Sequence, residues 1–307
     1  MLDVRRLRLL CDLDRLGTIA AVAHARTYTA SAVSQQLSAL EREAGVALLE
    51  RTGRRVRLTP AGRVLADRAA AVLAALEEAD AALAAAVAGP AGPLRIGAYP
   101  TAVRALLPAA LVALAAEHPA LELMVTELDP VEVPGALRDR RLDVGLLHDY
   151  DVVPIAPDPA LDSVPLLDET VFLAVPCESA ATGAGDTRDD AWIVATPGTL
   201  CHSVTLHVCR AAGFTPRIRH TADDFTTVLA LVAAGQGVSL VPELGTIDAP
   251  PGVRLVPLGT RRRTRIAYRR GAGDHPAVAA CVSALRRAGK TSTSIGTSTL
   301  KPMSSGG

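Results

Sequence analysis

A chain of 307 residues is long enough for about two domains of ordinary size. With 49% hydrophobic and 21% charged residues it has a globular balance, which excludes general disorder, and it contains no apolar run of the roughly eighteen residues a membrane span needs. The formal net charge of zero hides a gradient: residues 1–68 hold twelve Arg against seven acids, residues 89–260 ten Arg against twenty-one acids, and residues 261–307 ten bases against one acid, so a basic head on an acidic body points to nucleic acid at the N-terminal end.

Val4, Leu7, Leu10, Leu13 and Leu16 form a helical stripe that Gly17 ends. Thr18 caps a short helix to Ala25 whose small side chains let a neighbour approach closely. After the turn Arg26-Thr27-Tyr28, Thr29 caps a third helix running to about Ala44 and is itself a candidate DNA contact. Val33, Leu37 and Leu40 fall on its buried face, and Ser31, Ser34, Gln35, Ser38 and Arg42 on the other. Two helices joined by so short a turn are a helix-turn-helix, whose second helix enters the major groove. Gln suits adenine and Ser suits either kind of base edge. Leu48 to Leu58 alternates on both sides of Thr52-Gly53-Arg54, which reads as a β-hairpin. Arg54, Arg55 and Arg57 on its tip and second strand suit phosphates or a narrow minor groove. A three-helix bundle with a neutral polar face is the bland alternative, and the basic hairpin weighs against it.

The stretch Gly17–Glu43, then Gly45-Val46-Ala47-Leu48-Leu49-Glu50-Arg51 and Thr52 to Gly62, resembles the winged helix-turn-helix of LysR-type transcriptional regulators, with Ala32-Val33-Ser34-Gln35-Gln36-Leu37 matching the centre of the recognition helix. Ala30-Ser31 stands where many members have Gln-Pro, and Ile19 where many have Phe, so the operator does not carry over. The resemblance implies a non-enzymatic, cytoplasmic regulator. Its partners would be double-stranded promoter DNA, RNA polymerase and a small-molecule effector. It would act as a homodimer or homotetramer, without cofactor or metal and away from the membrane. The charged residues among Met1–Leu16 fit no secretory signal.

Thr59-Pro60 opens a long helix. Leu65, Ala69, Val72, Leu76, Ala79, Leu83 and Ala86 recur along it at alternating spacings of 4 and 3, a heptad seam. We expect Leu65, Val72, Leu76 and Leu83 to meet the same helix of a second subunit; packing on its own domain is the alternative. Gly89 to Pro93 is a hinge.

Beyond it, strands at 94–98, 121–126 and 143–147 alternate with helices at 103–117 and 131–140, the pattern of a parallel α/β sheet. The pattern restarts after Pro165 with strands at 171–175, 192–195, 217–220, 238–241, 253–258 and 264–268, and helices at 200–212, 224–234 and 275–288. The expected architecture is therefore a multidomain α plus α/β chain, with a winged helix-turn-helix at 1–59, a linker and dimerisation helix at 60–88 and a hinge at 89–93. A two-lobed effector-binding domain follows at 94–290, with lobe I at about 94–162 and 266–290, lobe II at about 163–265, and a disordered tail at 291–307. By resemblance the lobes are those of periplasmic solute-binding proteins.

Ligands in such sheets bind beyond the carboxyl ends of the strands. That places Tyr99, Pro100, Thr101, His148, Thr199, Leu200, Asp223 and Phe225 around a cleft, where the threonines and a helix N-terminus would suit a carboxylate-bearing effector. The bland reading is that Thr199 and Asp223 only cap helices. The odd cysteines Cys11, Cys177, Cys201, Cys209 and Cys281 form no Cys-x-x-Cys and no disulfide framework. Some redox-responsive family members use a cysteine pair in the segment of Cys201 and Cys209. Cys201 at a helix start should have a lowered pKa. Eight residues of helix separate the two by roughly 12 Å, beyond disulfide reach, so buried structural cysteines are expected and thiol sensing is the minor variant. The rival class is a solute-binding or enzymatic α/β protein with a head that binds no DNA. The missing Gly-x-Ser-x-Gly, His-Glu-x-x-His and phosphate-loop motifs speak against an enzyme.

Overall fold

The computed structural model describes residues 1–52, 55–86 and 89–296. The chain divides into two compact units, one of Met1–Ala88 with Arg269–Pro276, the other of Gly89–Tyr268 with the chain from Ala277.

The first unit contains α1 (Val4–Leu16), α2 (Ile19–Ala25), α3 (Ala30–Ala44), the strands β1 (Leu49–Thr52) and β2 (Arg55–Leu58), and α4 (Pro60–Ala86). Each of the first three helices starts where a side chain satisfies its loose N–H groups: Asp3 accepts from the Arg5 and Arg6 amides, Thr18 from Ala21, and Thr29 from Ala32. Such caps are worth about 1 kcal/mol each. Gly17 ends α1 with φ at 74°, which a side chain would oppose. Leu10, Leu13, Val22, Val33, Leu37, Leu40 and Leu48 pack into one core with Ala66 and Ala69 of α4. A Cβ at Gly62 would collide with the Leu48 carbonyl oxygen, so glycine is what lets α4 lie against the hairpin. Glu41 accepts from the Leu48 and Leu49 amides at 2.9 and 3.0 Å, tying the end of α3 to the hairpin. The hairpin pairs Leu49 with Leu58 and Thr52 with Arg55. Its expected turn at Gly53 and Arg54 lies outside the described residues.

The second unit is built on a six-stranded sheet of order β4-β3-β5-β10-β6-β9. β3 (Gly92–Ala98) runs parallel to β4 (Leu121–Glu127) and β5 (Val144–Tyr150). β10 (Val253–Arg269) runs antiparallel to β5, and β6 (Leu161–Pro176) antiparallel to β9 (Ser239–Pro242). A separate parallel pair, β7 (Ala191–Val194) and β8 (Arg217–Thr221), lies in lobe II. The helices are α5 (Pro100–Ala105), α6 (Leu107–Glu117), α7 (Val133–Arg138), α8 (Leu200–Ala211), α9 (Phe225–Ala233) and α10 (Pro276–Gly296). Leu94, Ile96, Leu114, Val144, Ile266 and Leu285 centre the core of lobe I. Leu173, Trp192, Val204, Cys209 and Leu240 centre that of lobe II.

Four details differ from the expectations. The sheet is mixed, because β6 and β10 are 16 and 17 residues long and pass through both lobes. The polar run Gly259 to Arg263, which reads as a loop, is the middle of β10, held inside by an ion pair described below. The helix expected at 103–117 is broken at Leu106, since Pro108 has no N–H to give the carbonyl four residues back. Finally, α10 runs on through Gly296, into the segment expected to be a disordered tail; the rest of that tail lies outside the described residues.

Candidate functional site

On α3 the apolar face of Val33, Leu37 and Leu40 is buried, which turns the polar face outward. Ser31, Gln35, Ser38 and Arg42 are exposed and Ser34 is half-buried. The Thr29 hydroxyl is committed to capping. Arg57 on β2 is exposed, the backbone of Arg55 lies in β2, and Arg54 is outside the described residues. The sequence reading missed a basic hollow of about 580 Å³ beside this face, lined by Arg5, Arg6, Arg8, Arg26, Tyr28 and Gln36 among others. The legible signal was the set of arginines on α1 that fall outside its apolar stripe. Arg6 there is held by Glu43 and by Gln36, the latter at 2.9 Å. Farther along α4, Leu65 is half-buried against the core of its own unit, whereas Val72, Leu76 and Leu83 are 43%, 40% and 70% exposed. Isolated apolar side chains on a surface are ordinary, but three on one heptad face make a continuous stripe.

A cavity of about 250 Å³ lies between the lobes of the second unit. The end of β3 and the start of α5 supply Tyr99, Pro100, Thr101 and Arg104, and β5 supplies His148. From lobe II come Thr199, Leu200 and Cys201 at the start of α8, and Asp223, Asp224 and Phe225 ahead of and at the start of α9. All eight cleft residues expected from the sequence line this one cavity. Most of their polar atoms are nevertheless engaged. The Thr199 hydroxyl donates to the Thr196 carbonyl and accepts from the His202 amide, and Asp223 accepts from the Thr196 amide and hydroxyl at 2.8 and 2.6 Å. The capping reading holds for Thr199, which caps α8; Asp223 ties the loop at Thr196 instead, and Asp224 next to it caps α9, accepting from the Thr227 amide.

Arg262 of β10 is the member that sequence reasoning missed, because it sits in an arginine run that reads as solvated. Its side chain and that of Glu169 on β6 are each 1% exposed and pair at 2.7 Å. Arg262 also donates to the Thr101 hydroxyl at 3.1 Å and lies over the Tyr99 ring at 4.9 Å, while Glu169 accepts from the Leu244 amide at 2.7 Å. Tyr99 and Thr264 join their hydroxyls at 2.6 Å. Arg104 crosses between the lobes to Thr226 and Asp248 at 2.6 and 3.2 Å.

This setting governs the titratable groups. Burial pushes Tyr99 up to about 12 and raises Tyr150 as well. Burial, then the Arg262 charge, lower His148 well below 6.5. Cys201 corrects an expectation: although it opens α8, burial raises its thiol above the ordinary value, and a hydrogen bond with the Tyr150 hydroxyl at 3.4 Å and the Arg262 charge only partly offset this. The carboxylates Glu127, Asp129, Asp223 and Asp224 line the cavity against Arg104 and Arg262, and Glu169 already matches Arg262. The wall is thus acidic, a poor cradle for the carboxylate-bearing effector expected from the sequence. Cys209 lies in the lobe II core, all five cysteines are free thiols, and no cluster able to hold a metal occurs among the described residues.

The family description "Bacterial regulatory helix-turn-helix protein, lysR family" matches residues 4–63, and "LysR substrate binding domain" matches residues 88–290. The chain belongs to the LysR family: it is a transcriptional regulator with a helix-turn-helix DNA-binding domain and an effector-binding domain. Among its relatives, a probable hydrogen peroxide-inducible genes activator of Streptomyces viridosporus is 34% identical over 93% of this chain and 96% of its own. The DNA-binding transcriptional dual regulator OxyR of Escherichia coli is 30% identical over 85% and 89%. A cysteine-to-serine mutant of Corynebacterium glutamicum OxyR, solved with hydrogen peroxide bound, shares 25% identity and a TM-score of 0.61 over 99% of this chain and 98% of that one. The LysR family regulator CbnR has the same fold, with a TM-score of 0.53 over 93% of this chain and 100% of that one. No helix among the described residues is long and apolar enough to cross a membrane.

Proposed function

We propose that this regulator senses peroxide through the thiol of Cys201 and converts its oxidation into a change in promoter binding. The observation that carries the reading is the position of that thiol, in the wall of the interlobe cavity, bonded to Tyr150 and under the field of the buried Arg262. The cavity, at about 250 Å³, falls below the roughly 300–1,000 Å³ typical of metabolite sites, which favours a ligand of very few atoms. Relatives named for induction by hydrogen peroxide support it. The thiol-sensing variant thereby displaces the carboxylate effector.

In the reaction the Cys201 sulfur attacks one peroxide oxygen. The S–O bond forms as the O–O bond breaks, sulfur gives up two electrons to become a sulfenic acid, and the other oxygen leaves as water with the thiol proton. One peroxide is used per thiol, so the output is regulation and not turnover. The new S–OH group would stand in the wall that Arg262 also lines, near where β10 passes between the lobes. Condensation with Cys209 would require α8 to unwind, because about 12 Å of helix rise separates the two.

Two copies joined through Val72, Leu76 and Leu83 would present two recognition helices to the halves of an operator. Ser31, Ser34, Gln35, Ser38 and Arg42 would then meet bases and phosphates, with the hairpin arginines Arg54, Arg55 and Arg57 alongside. The effector lobes would adjust the spacing of a dimer or tetramer, and so the access of RNA polymerase, in the cytoplasm. The test treats reduced protein with hydrogen peroxide, traps sulfenic acid with dimedone, and footprints the promoter. We expect the label on Cys201 and a footprint change that Cys201→Ser abolishes. A footprint that responds equally in Cys201→Ser overturns the reading.

A further inference from the structure

We propose that the segment Arg269–Pro276 is a clasp on the linker helix α4, and that it couples β10 of the effector-binding unit to the DNA-reading head whatever the cavity binds. The chain up to Tyr268 and again from Ala277 belongs to the effector-binding unit, yet Arg269–Pro276 forms one compact body with the head and α4. The segment consists of two successive turns. The Ala272 amide donates to the Arg269 carbonyl at 3.0 Å, and the His275 amide to the Ala272 carbonyl at 3.1 Å. Gly271 stands third in the first turn with φ at 86°, a conformation that favours glycine. A Cβ there would also strike the Ala74 carbonyl oxygen and press on the Glu78 side chain, so the turn lies directly against α4. Next to it Arg269 donates to Glu77 at 3.0 Å, and the two side chains are only 13% and 9% exposed.

A carboxylate withdrawn from water is costly unless a cation offsets the loss, so a buried pair fixes one register between the elements that carry it. Glu77 does this along an alanine-rich helix that offers few other marks of position. Ala74, Glu77 and Ala81 recur at helical spacing on one face of α4, and Val72, Leu76 and Leu83 on the roughly opposite one. Glu77 and Ala81 are buried, whereas the Val72, Leu76 and Leu83 stripe is exposed. One helix can therefore carry the clasp on one side and a second copy on the other. β10 holds Arg262 in the cavity wall and ends at Arg269 on the helix, as one unbroken strand. A shift at the middle of that strand is felt at its end. Linkage makes the coupling reciprocal: DNA bound at the head must bias β10 as much as a change at β10 biases the head.

Reciprocity allows a test that needs no effector. Hydrogen exchange is measured on the full-length protein with and without a saturating duplex of its promoter site. In the wild type the duplex should change the exchange of amides in 262–269 by about three- to tenfold. Glu77→Gln removes the charge and keeps the shape, and Gly271→Ala sets a Cβ against Ala74. Both should cut the response to within about twofold, while the proteins still form dimers in light scattering and bind the duplex. Gly259→Ala, on the same strand with nothing within 4 Å of its Cβ, should keep the full response. A contact that merely supports α4 would let the variants speed exchange in the helix and leave the response of β10 to DNA intact. That result, or a wild-type β10 that ignores the duplex, overturns the coupling. Glu77→Gln decides alone where Gly271→Ala does not fold.

Discussion

The recognition helix and the interlobe cavity handle polar atoms in opposite ways. On α3, Ser31, Gln35 and Ser38 stand in water, which satisfies them until a partner arrives. Around the cavity, Thr101, Thr199, Asp223, Glu169 and Arg262 are all held by other groups of the protein. A free polar group therefore carries little information on the helix and a great deal in the cavity, where an unpaired one costs about 1–3 kcal/mol.

The contrast breaks hardest at the buried pair. Glu169→Ala leaves the Arg262 charge buried and unmatched, and should destabilise the effector-binding unit by about 3–5 kcal/mol in urea titration. The double variant Glu169→Leu with Arg262→Met should recover most of that; a single variant as stable as wild type would show the pair to be solvated. On the exposed side, Leu76→Asp should abolish dimers in light scattering with the effector lobes still folded. Operator affinity should fall about a hundredfold, or ~2.7 kcal/mol. A mutant that stays dimeric would move the interface off α4. Gln35→Ala should cost roughly 1–3 kcal/mol at the operator and far less on random DNA, and equal losses would remove it from base reading.

Smaller effects sharpen the comparison. His148 has a folded pKa well below the 6.5 of the free side chain, so the unfolded chain binds the extra proton. Its contribution is complete above pH 6.5 and is lost as pH falls from there toward the folded value, by up to about 1.4 kcal/mol per pH unit. Denaturation midpoints between pH 7 and 5 should therefore fall more steeply for wild type than for His148→Gln. Arg57→Ala should reduce the salt dependence of DNA binding by about one unit of slope if it removes one phosphate contact. An unchanged slope places Arg57 off the DNA.

Much of the fold was legible because its signals are local. Caps at Thr18 and Thr29, the stripe of Val33, Leu37 and Leu40, and the strand-helix alternation after Gly89 each depend on neighbouring residues. The cleft residues were legible through the rule that ligands sit beyond strand ends. What escaped depends on contacts distant in the chain. Arg262 looks like solvated charge until Glu169, 93 positions away, is brought against it. The thiol of Cys201 looks activated by its helix until burial raises it by more than Tyr150 and Arg262 lower it.

The two lobes are joined by strands that do not stop between them. A pair of loops would act as a free hinge, but β6 and β10 run on through the waist and must shear or twist for one lobe to turn against the other. Such a connection behaves as a torsion bar: stiff against opening, softer against rotation about the strand axis, and already biased in hand by the natural twist of a sheet. On the reading proposed above, a change of one or two atoms beside Arg262 would act at the middle of that bar.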